Sequence, residues 1–508
     1  MLLKQRMNEP RGKRSASRRE LRNSVVIFLM LLSCYGYFFP RWAEWNQNSR
    51  MDLTLAIVEQ GTFVIDDYYE NTGDYAVYGG HIYTDKAPGT SFLGVPAYAA
   101  FRLLAQTPPA QFALRKLTTS NALQETLREG GTGLLEEKVY FAAALYFTTF
   151  FTVALASALL GVLLYRFLGR ITLDSGQPLW LPLRLLLVLG YGLGTIVFPY
   201  STVFYGHQIA AATLFAAFVV LYRIRHGEMG VNWLWLVGAL VGLTVLVEFP
   251  ALVASALLGL YALWFLPRKR DLVKLIGGGL SFALLLGFYN YSCFGSPFAS
   301  SYRYLGRFPE ISRTGFLGFH MPKWGALWGI TFSPYRGLFV LSPFLLLALP
   351  GFWTFIRDRD WRAEGVLSVG IVGAQLLLIS CWYDWRGGFA IGPRNLLLVL
   401  PFFLLGVAFF LRAWGERLWA RVLFGGLLLV SFFVTGIAST SGQAFPPITI
   451  ANPLVEFFWP HFIAGHITRN LGMALGLRAW WSLLPLVLFV ILSAIWLSGN
   501  RTKPDVRS

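Results

Sequence analysis

The run SVVIFLMLLSCYGYFF, residues 24–39, decides the fold class because it is apolar and carries no charge. An α-helix of about 20 such residues is long enough to cross the hydrocarbon core of a bilayer. A basic segment precedes the run, and no small-residue cleavage site follows it. We therefore interpret residues 24–41 as an uncleaved first membrane helix, preceded by a basic cytoplasmic tail at residues 1–23.

Eleven further apolar segments follow, and the composition supports a membrane protein. Of the 508 residues, 55% are hydrophobic and 14% are charged, against about 25% charged in an average soluble domain. We therefore predict an all-α polytopic membrane protein with about twelve transmembrane helices. The further predicted spans are 139–165, 180–199, 207–222, 232–247, 250–266, 275–291, 338–356, 366–382, 396–411, 422–439 and 479–497.

The distribution of basic residues predicts the orientation. The net charge is +17, but the lysines and arginines lie mostly in short tails and loops, so no basic domain for nucleic acid is present. With the N-terminus inside, every predicted cytoplasmic segment is basic, as the positive-inside rule requires. This places both termini in the cytoplasm of a multi-pass cell (inner) membrane protein, with residues 24–497 as the membrane domain and 498–508 as the second tail.

Three predicted outer loops are long: residues 42–138, 292–337 and 440–478. Loops of this length are usually functional. In the first outer loop, residues 53–58 and 91–105 are apolar enough to form interfacial helices. Between them lies a polar segment, residues 66–86, which we take as the centre of the candidate site.

This polar segment contains acidic, basic and histidine side chains together, and its members are Asp66, Asp67, Glu70, Asp74, His81, Asp85 and Lys86. Carboxylates act as general bases or bind divalent cations, and a lysine binds phosphate as a point charge. A solvated acidic loop is the simpler interpretation of any single carboxylate. The lysine and the two flanking apolar segments favour a site.

Further polar residues lie at the outer ends of predicted spans. Trp385 and Arg394 belong to a glycine-containing stretch at 382–394, and Arg336 precedes a predicted span. Both arginines are candidates for binding phosphate, although aromatic-belt and snorkelling roles would explain such residues equally well. His207 begins the fourth span and Glu248 lies between the fifth and sixth, and ionisable groups at such depth are functional hypotheses by default.

The first outer loop resembles that of a known enzyme family. The run Asn48-Ser49-Arg50, then Glu59, Gly61 and GHIYTDKAPG at 80–89, is similar to polytopic glycosyltransferases of the C superfamily (GT-C fold). The similarity is greatest to the family 39-like branch of protein O-mannosyltransferases and lipid A aminoarabinose transferases. Residues 290–297 and 382–394 also resemble segments of bacterial members. The resemblance covers most of the chain as topology and three short stretches as motif.

The resemblance implies an inverting glycosyltransferase of the cell envelope, which moves a sugar from a polyprenyl-phosphate donor at the non-cytoplasmic face. It implies a glycan, lipid or protein acceptor and an aspartate of the first outer loop as general base. The family often places that acid about three residues before the arginine, where this chain has Gln47, so the base is sought, in this order, among Asp74, Asp66 and Asp52. Asp85-Lys86 matches the family's acid–lysine pair, which makes Asp85 a candidate ligand for a divalent cation. The expected donor-binding residues are Arg50, His81, Tyr83, Lys86, His207, Arg336, Trp385 and Arg394.

Two other functions stay open at this point. A transporter or flippase of lipid-linked sugars would show symmetric repeats and broken helices. A ligase that takes glycans from a lipid diphosphate would use Arg303, Arg336 and Arg394 more than the acids of the first outer loop. The chain has no GxSxG, HExxH or GxxxxGK[ST] motif, so ATP-driven transport by this chain alone is not expected.

Overall fold

The computed structural model describes residues 11–41, 44–128, 130–173, 175–177, 179–313, 315 and 318–499. Within these residues the chain is mostly helical, as predicted. The longer helices are α1 (Arg11–Gly36), α2 (Trp45–Gln60), α3 (Gly89–Ala105), α4 (Pro108–Thr118), α5 (Glu136–Leu168), α6 (Leu181–Leu193), α7 (His207–Arg225), α8 (Val231–Val247), α9 (Phe249–Phe265), α10 (Lys269–Phe294), α11 (Pro343–Arg357), α12 (Arg362–Cys381), α13 (Arg394–Trp414), α14 (Leu418–Thr440) and α15 (Leu484–Gly499).

Shorter helical turns connect these helices. They are Tyr69–Asn71, Asn121–Gln124, Val197–Tyr200, Ser301–Tyr304, Pro309–Arg313, Trp324–Thr331, Leu338–Leu341, Leu454–Phe458, Trp459–Ile463, Leu471–Ala474 and Ala479–Leu483. Most of them lie in the predicted outer loops, which therefore have regular local structure.

Seven helices in the described part of the chain are long and apolar enough to cross a membrane, by length and composition. These are α5, α7, α10, α12, α13, α14 and the helical segment Ala479–Leu497. Four more apolar helices, α6, α8, α9 and α11, are shorter. Each predicted span contains a helix, but the number of twelve spans is not confirmed.

The helices pack around a core that contains most of α7 and nearly all of α13. All residues of α13 from Leu400 to Leu411 are buried. At the periphery, α10 exposes apolar side chains along its length, including Ile276, Leu284 and Phe288 at more than 60% exposure. An apolar helix surface of this size indicates contact with lipid or another protein.

Glycines allow α8 and α10 to pack with their backbones in contact. A Cβ atom on Gly238 would lie 1.9 Å from the Leu275 carbonyl oxygen, and one on Gly278 would lie 2.0 Å from that of Trp235. Small residues at helix contacts are typical of membrane helices, where close packing replaces the hydrophobic effect as the driving force.

The first outer loop also contains a β-hairpin, which the all-α prediction did not include. Strand β1 (Tyr75–Tyr78) pairs antiparallel with β2 (His81–Thr84), with Tyr75 opposite Thr84. Gly79 and Gly80 form the turn with φ of 62° and 85°, values that favour glycine at both central positions of a two-residue hairpin turn. The Gly306 N–H donates to the Tyr75 carbonyl at 3.0 Å, which joins the second outer loop to the hairpin.

Candidate active site

The hairpin brings two aspartates to one lysine. Asp74 precedes β1 and Asp85 follows β2, so the strand register places them opposite each other at the open end of the hairpin. The Lys86 ammonium lies 2.7 Å from Asp74 Oδ2 and 3.0 Å from Asp85 Oδ2. Burial alone would lower the pKa of Lys86, but the carboxylates of Asp74 and Asp85 outweigh it and hold the pKa above its usual range. Lys86 is therefore a permanent cation between two carboxylates.

A second ion pair lies beside this group. Arg50 of α2 donates from Nη2 to Glu248 Oε1 at 2.8 Å, and from Nη1 to the Ala87 carbonyl at 3.1 Å. His207 Nδ1 lies 3.5 Å from the same Glu248 oxygen. Arg50 is almost completely buried, and because it bonds to the residue after Lys86 it joins α2 to the end of the hairpin. The junction of α8 and α9, which carries Glu248, is fixed to the same point.

A third group surrounds Arg394, which begins α13. Its Nη1 donates to the Tyr205 hydroxyl at 3.3 Å, and the Tyr205 hydroxyl donates to Glu44 Oε2 at 3.3 Å. The Phe445 N–H donates to Glu44 Oε1 at 3.0 Å. Among the described residues, the buried Nε of Arg394 has no hydrogen-bond partner. This guanidinium therefore has donor capacity left for an anion.

Asp384 shows that these groups share one electrostatic environment. Burial raises the pKa of Asp384, and the guanidiniums of Arg394 and Arg386 oppose this rise. The charge of Asp74 also raises the pKa of Asp384, and the charge of Lys86 lowers it. The charge of Asp74 also acts on Arg394, so these two groups lie within Coulombic range of each other. We call the combined set the polar cluster; its members are Glu44, Arg50, Asp74, Asp85, Lys86, Tyr205, His207, Glu248, Asp384 and Arg394.

Glu44 is a buried carboxyl group whose ionisation should affect stability. It is only 4% exposed, and burial raises its pKa to about 7, against the lowering effect of the Phe445 N–H and of Arg394 and Arg41. Below about pH 4.5 this group is protonated in both folded and unfolded chains, so it has no effect on stability. As the pH rises toward 7, the unfolded chain ionises first and the folded state loses stability. The loss is complete above the folded pKa.

We expect the Glu44→Gln variant to unfold at a higher temperature than the wild type at about pH 8 and at an equal temperature at about pH 4.5. Glutamine preserves the acceptor for the Phe445 N–H and removes the buried charge. Thermal unfolding of the detergent-solubilised protein across this pH range measures the effect. An equal difference between variant and wild type at both pH values would contradict the raised pKa.

The three aspartates predicted as bases lie in different environments. Asp74 is 20% exposed and pairs with Lys86. Asp52 is fully buried and accepts from Asn71 Nδ2 at 2.9 Å, and burial raises its pKa well above the usual range despite this bond. Asp66 pairs with His81 at 2.8 Å and accepts the Ile82 N–H, on the exposed side of the hairpin. A base must be ionised and reachable, which counts against the buried Asp52. Of the two more exposed aspartates, Asp74 is the one that lies beside the Lys86 ammonium, and we rank it first.

Three further residues predicted to bind the donor are Tyr83, Trp385 and Arg336, and each contacts a different part of the protein. Tyr83 packs against Phe294 with ring centroids 5.4 Å apart, which holds the hairpin on the end of α10. Trp385 packs edge-on against Tyr335 at 6.2 Å. Arg336 is 1% exposed and donates to the Gly388 carbonyl at 2.9 Å, while its Nε and Nη1 have no partner among the described residues. Of these three, only Arg336 has buried donors without a partner among the described residues, and these donors could bind an anion.

A divalent cation at Asp85 does not fit the arrangement. The Lys86 ammonium lies between the carboxylates of Asp74 and Asp85, where such a cation would bind, and neutralises them. Within the part of the chain that the structure describes, no three histidine, cysteine, aspartate or glutamate residues form a group that could hold a metal ion. We therefore assign no step of the chemistry to a metal.

The sequence indicated Glu248 as a functional hypothesis, but sequence reasoning did not select Glu44, Tyr205 or Asp384 as site residues. Glu44 stands only six residues before Arg50, close to where the family resemblance required an acid. Gln47, which occupies the expected position, is buried and donates from Nε2 to the Arg41 carbonyl at 2.5 Å. The family resemblance predicts an acid shortly before Arg50, and a search for it beyond the expected position could have identified Glu44.

Comparisons with protein-family models, with curated proteins and with solved structures find no match to this chain. The function must therefore be argued from the chemistry of the polar cluster.

Proposed function

We propose that this protein is an inverting glycosyltransferase that moves a sugar from a polyprenyl-phosphate donor to an acceptor hydroxyl at the non-cytoplasmic face of the membrane. One observation carries the proposal. A buried arginine with an unsatisfied donor, Arg394 at the start of α13, lies within Coulombic range of a partly exposed carboxylate, Asp74 at the open end of the hairpin. Anion binding and proton removal are the two tasks of this reaction.

Each chemical task of this reaction can be assigned to a residue of the polar cluster. The acceptor oxygen attacks the anomeric carbon, and its proton passes to the Asp74 carboxylate. The new carbon–oxygen bond forms as the bond from the anomeric carbon to the phosphate oxygen breaks, and its electron pair leaves with the lipid phosphate. Arg394 and Lys86 stabilise the negative charge of the leaving phosphate. A single displacement inverts the anomeric configuration and needs no carboxylate nucleophile.

The membrane arrangement is part of the proposal. Twelve helices cross the cell (inner) membrane, with both termini in the cytoplasm and the polar cluster on the outer side. The donor lipid then stays in the bilayer while its phosphosugar reaches the cluster from the side. The exposed apolar surface of α10 supports a lipid environment for this part of the molecule.

Two isosteric variants test the assignment of the base. We expect Asp74→Asn to reduce sugar transfer by about 10²–10⁴-fold, because the amide cannot accept the proton. Asp52→Asn should retain transfer within about twofold, since the raised pKa already keeps Asp52 uncharged. Purified protein in lipid nanodiscs, with a radiolabelled polyprenyl-phosphate sugar, measures cleavage of the donor. Equal activity of both variants would contradict the assignment of Asp74.

The same assay separates transfer from transport. A flippase moves the intact lipid-linked sugar and leaves the sugar–phosphate bond unbroken, whereas a transferase releases polyprenyl phosphate. Movement of labelled lipid between leaflets without release of polyprenyl phosphate would overturn the proposal.

Arg336 favours one other function, transfer from a lipid diphosphate. Two of its donors are buried without a partner among the described residues, and a second phosphate group would satisfy them. Parallel reactions with monophosphate and diphosphate donors distinguish the two functions. Faster reaction with the diphosphate, lost in Arg336→Met, would favour the ligase.

A further inference from the structure

Three aromatic side chains from three different outer segments meet next to Asp74. Trp45 begins α2, Phe308 belongs to the second outer loop, and Phe389 lies in the turn before α13. The ring centroids of Phe308 and Phe389 lie 6.4 Å and 6.5 Å from that of Trp45. Phe308 is 37% exposed and Phe389 is 46% exposed. We call these three residues the aromatic platform.

The platform is fixed against the candidate base. Thr72 donates from Oγ1 to the Trp45 carbonyl at 2.8 Å. Gly73 packs so closely that a Cβ atom on it would lie 2.8 Å from the Trp45 ring and 3.0 Å from Arg307 Cδ. The Arg307 guanidinium in turn lies 4.5 Å from the Trp45 ring centroid. Trp45 is therefore held against the residue that immediately precedes Asp74.

The chemistry of this surface fits a sugar ring. A pyranose has faces of C–H groups, which pack on aromatic rings, and a rim of hydroxyls, which bond to charged and polar groups. The platform supplies the rings, with Phe308 and Phe389 the more exposed of them. Asp74 supplies a carboxylate beside the rings, and the exposed Arg307 lies over the Trp45 ring and supplies a cation. An aromatic surface bordered by a few polar groups is also the general form of a small-molecule site.

The other two classes of acceptor fit less well. An extended peptide usually binds by adding a strand to an open sheet edge. Strand β1 is paired with β2 on one side, and on the other side its Tyr75 carbonyl already accepts the Gly306 N–H. An acyl chain needs a continuous apolar groove, but Asp74 and Arg307 border the platform.

We propose that the acceptor is a glycan, one sugar ring of which stacks on the aromatic platform and directs a hydroxyl to Asp74. This inference rests on the proposed function, because it names the acceptor of the same reaction.

Binding tests the inference without catalysis. Full-length protein in nanodiscs is applied to a panel of immobilised neutral and acidic oligosaccharides. We expect binding by the wild type and about tenfold weaker binding by Trp45→Ala and Phe389→Leu, with Trp45→Phe close to the wild type. Phe389→Leu keeps the test valid if Trp45→Ala does not fold, because Phe389 is half-exposed. Trp481→Leu, also at an exposed aromatic residue (69%), is the matched control and should bind as the wild type does.

Kinetics add a second readout. Transfer is then measured with the labelled donor and, as acceptor, a glycan that bound in the panel. The KM for this glycan should be about tenfold higher in Trp45→Ala and Phe389→Leu than in the wild type. In the control variant Trp481→Leu, the KM for the glycan, the KM for the donor and the slow hydrolysis of the donor by water should all stay unchanged. Transfer to a serine-containing peptide or to a lipid acceptor in preference to glycans would overturn the inference, as would a failure to bind any glycan. Glycan binding that depends on Trp45 without donor cleavage would support the inference and count against the proposed function.

Discussion

Replacing Lys86 with methionine is expected to reduce sugar transfer by about 10³-fold and to lower the free energy of unfolding by about 3–5 kcal/mol. The ammonium of Lys86 pairs with Asp74 and Asp85 at 2.7 Å and 3.0 Å, in a region where all three side chains are at least four-fifths covered. Without it, two carboxylates face each other with no cation between them. The transfer rate with labelled donor and thermal unfolding in detergent measure the two effects.

Two further variants separate stability from chemistry at this position. Lys86→Arg keeps the charge and should retain most of the stability. The double variant Lys86→Met/Asp85→Asn removes one of the two carboxylates and should recover stability but not transfer, because the leaving phosphate still lacks its cation. Transfer within about tenfold of the wild type in Lys86→Met would exclude a role in neutralising the phosphate.

The Arg50→Met variant should be destabilised by about 3–5 kcal/mol, because it leaves Glu248 as a nearly buried charge without its guanidinium. Arg50 also supplies the hydrogen bonds to Ala87 and Thr90 that join α2 to the segment leading into α3. Thermal unfolding in detergent, with circular dichroism as the signal, measures the loss.

The matched control is a double-mutant cycle. Arg50→Met/Glu248→Gln removes both charges and should be more stable than Arg50→Met alone by about 2 kcal/mol. If the effects of the two single variants simply add, the pair contributes no coupling energy, and the buried ion pair is not what holds the junction of α8 and α9 in place.

The sequence was sufficient to predict a mostly helical chain whose apolar helices lie in the predicted spans. Apolar runs predict helices because an unpaired backbone is too costly in lipid and a helix satisfies its own backbone hydrogen bonds. For the same reason each predicted span contains a helix. The count of twelve is not confirmed because α6, α8, α9 and α11 are short and α1 is not among the seven helices that are long and apolar enough to cross a membrane.

The hairpin could have been predicted and was not. Tyr75–Tyr78 and His81–Thr84 are rich in β-formers and are separated by Gly79-Gly80, which is a typical hairpin signal. The charged residues on both sides of the two short strands mask this signal in the sequence. The consequence was a ranking of the aspartates without the register that places Asp74 opposite Asp85.

The partners of the arginines could not have been predicted from one sequence. Glu248 lies 198 positions from Arg50, and Tyr205 lies 189 positions from Arg394. Such pairings depend on how the helices pack, and no local pattern encodes them. The same holds for the aromatic platform, whose three rings come from three separate outer segments.

The register of the hairpin limits how the length of this region can vary. Side chains alternate between the two faces of a strand, so one residue inserted between Asp74 and the turn would move that carboxylate to the opposite face, away from Lys86. Insertion of one residue into each strand would lengthen the hairpin and leave the pairing at its open end unchanged. Related chains built on this plan should therefore differ in hairpin length by even numbers of residues, with free choice of the amino acids at the tip.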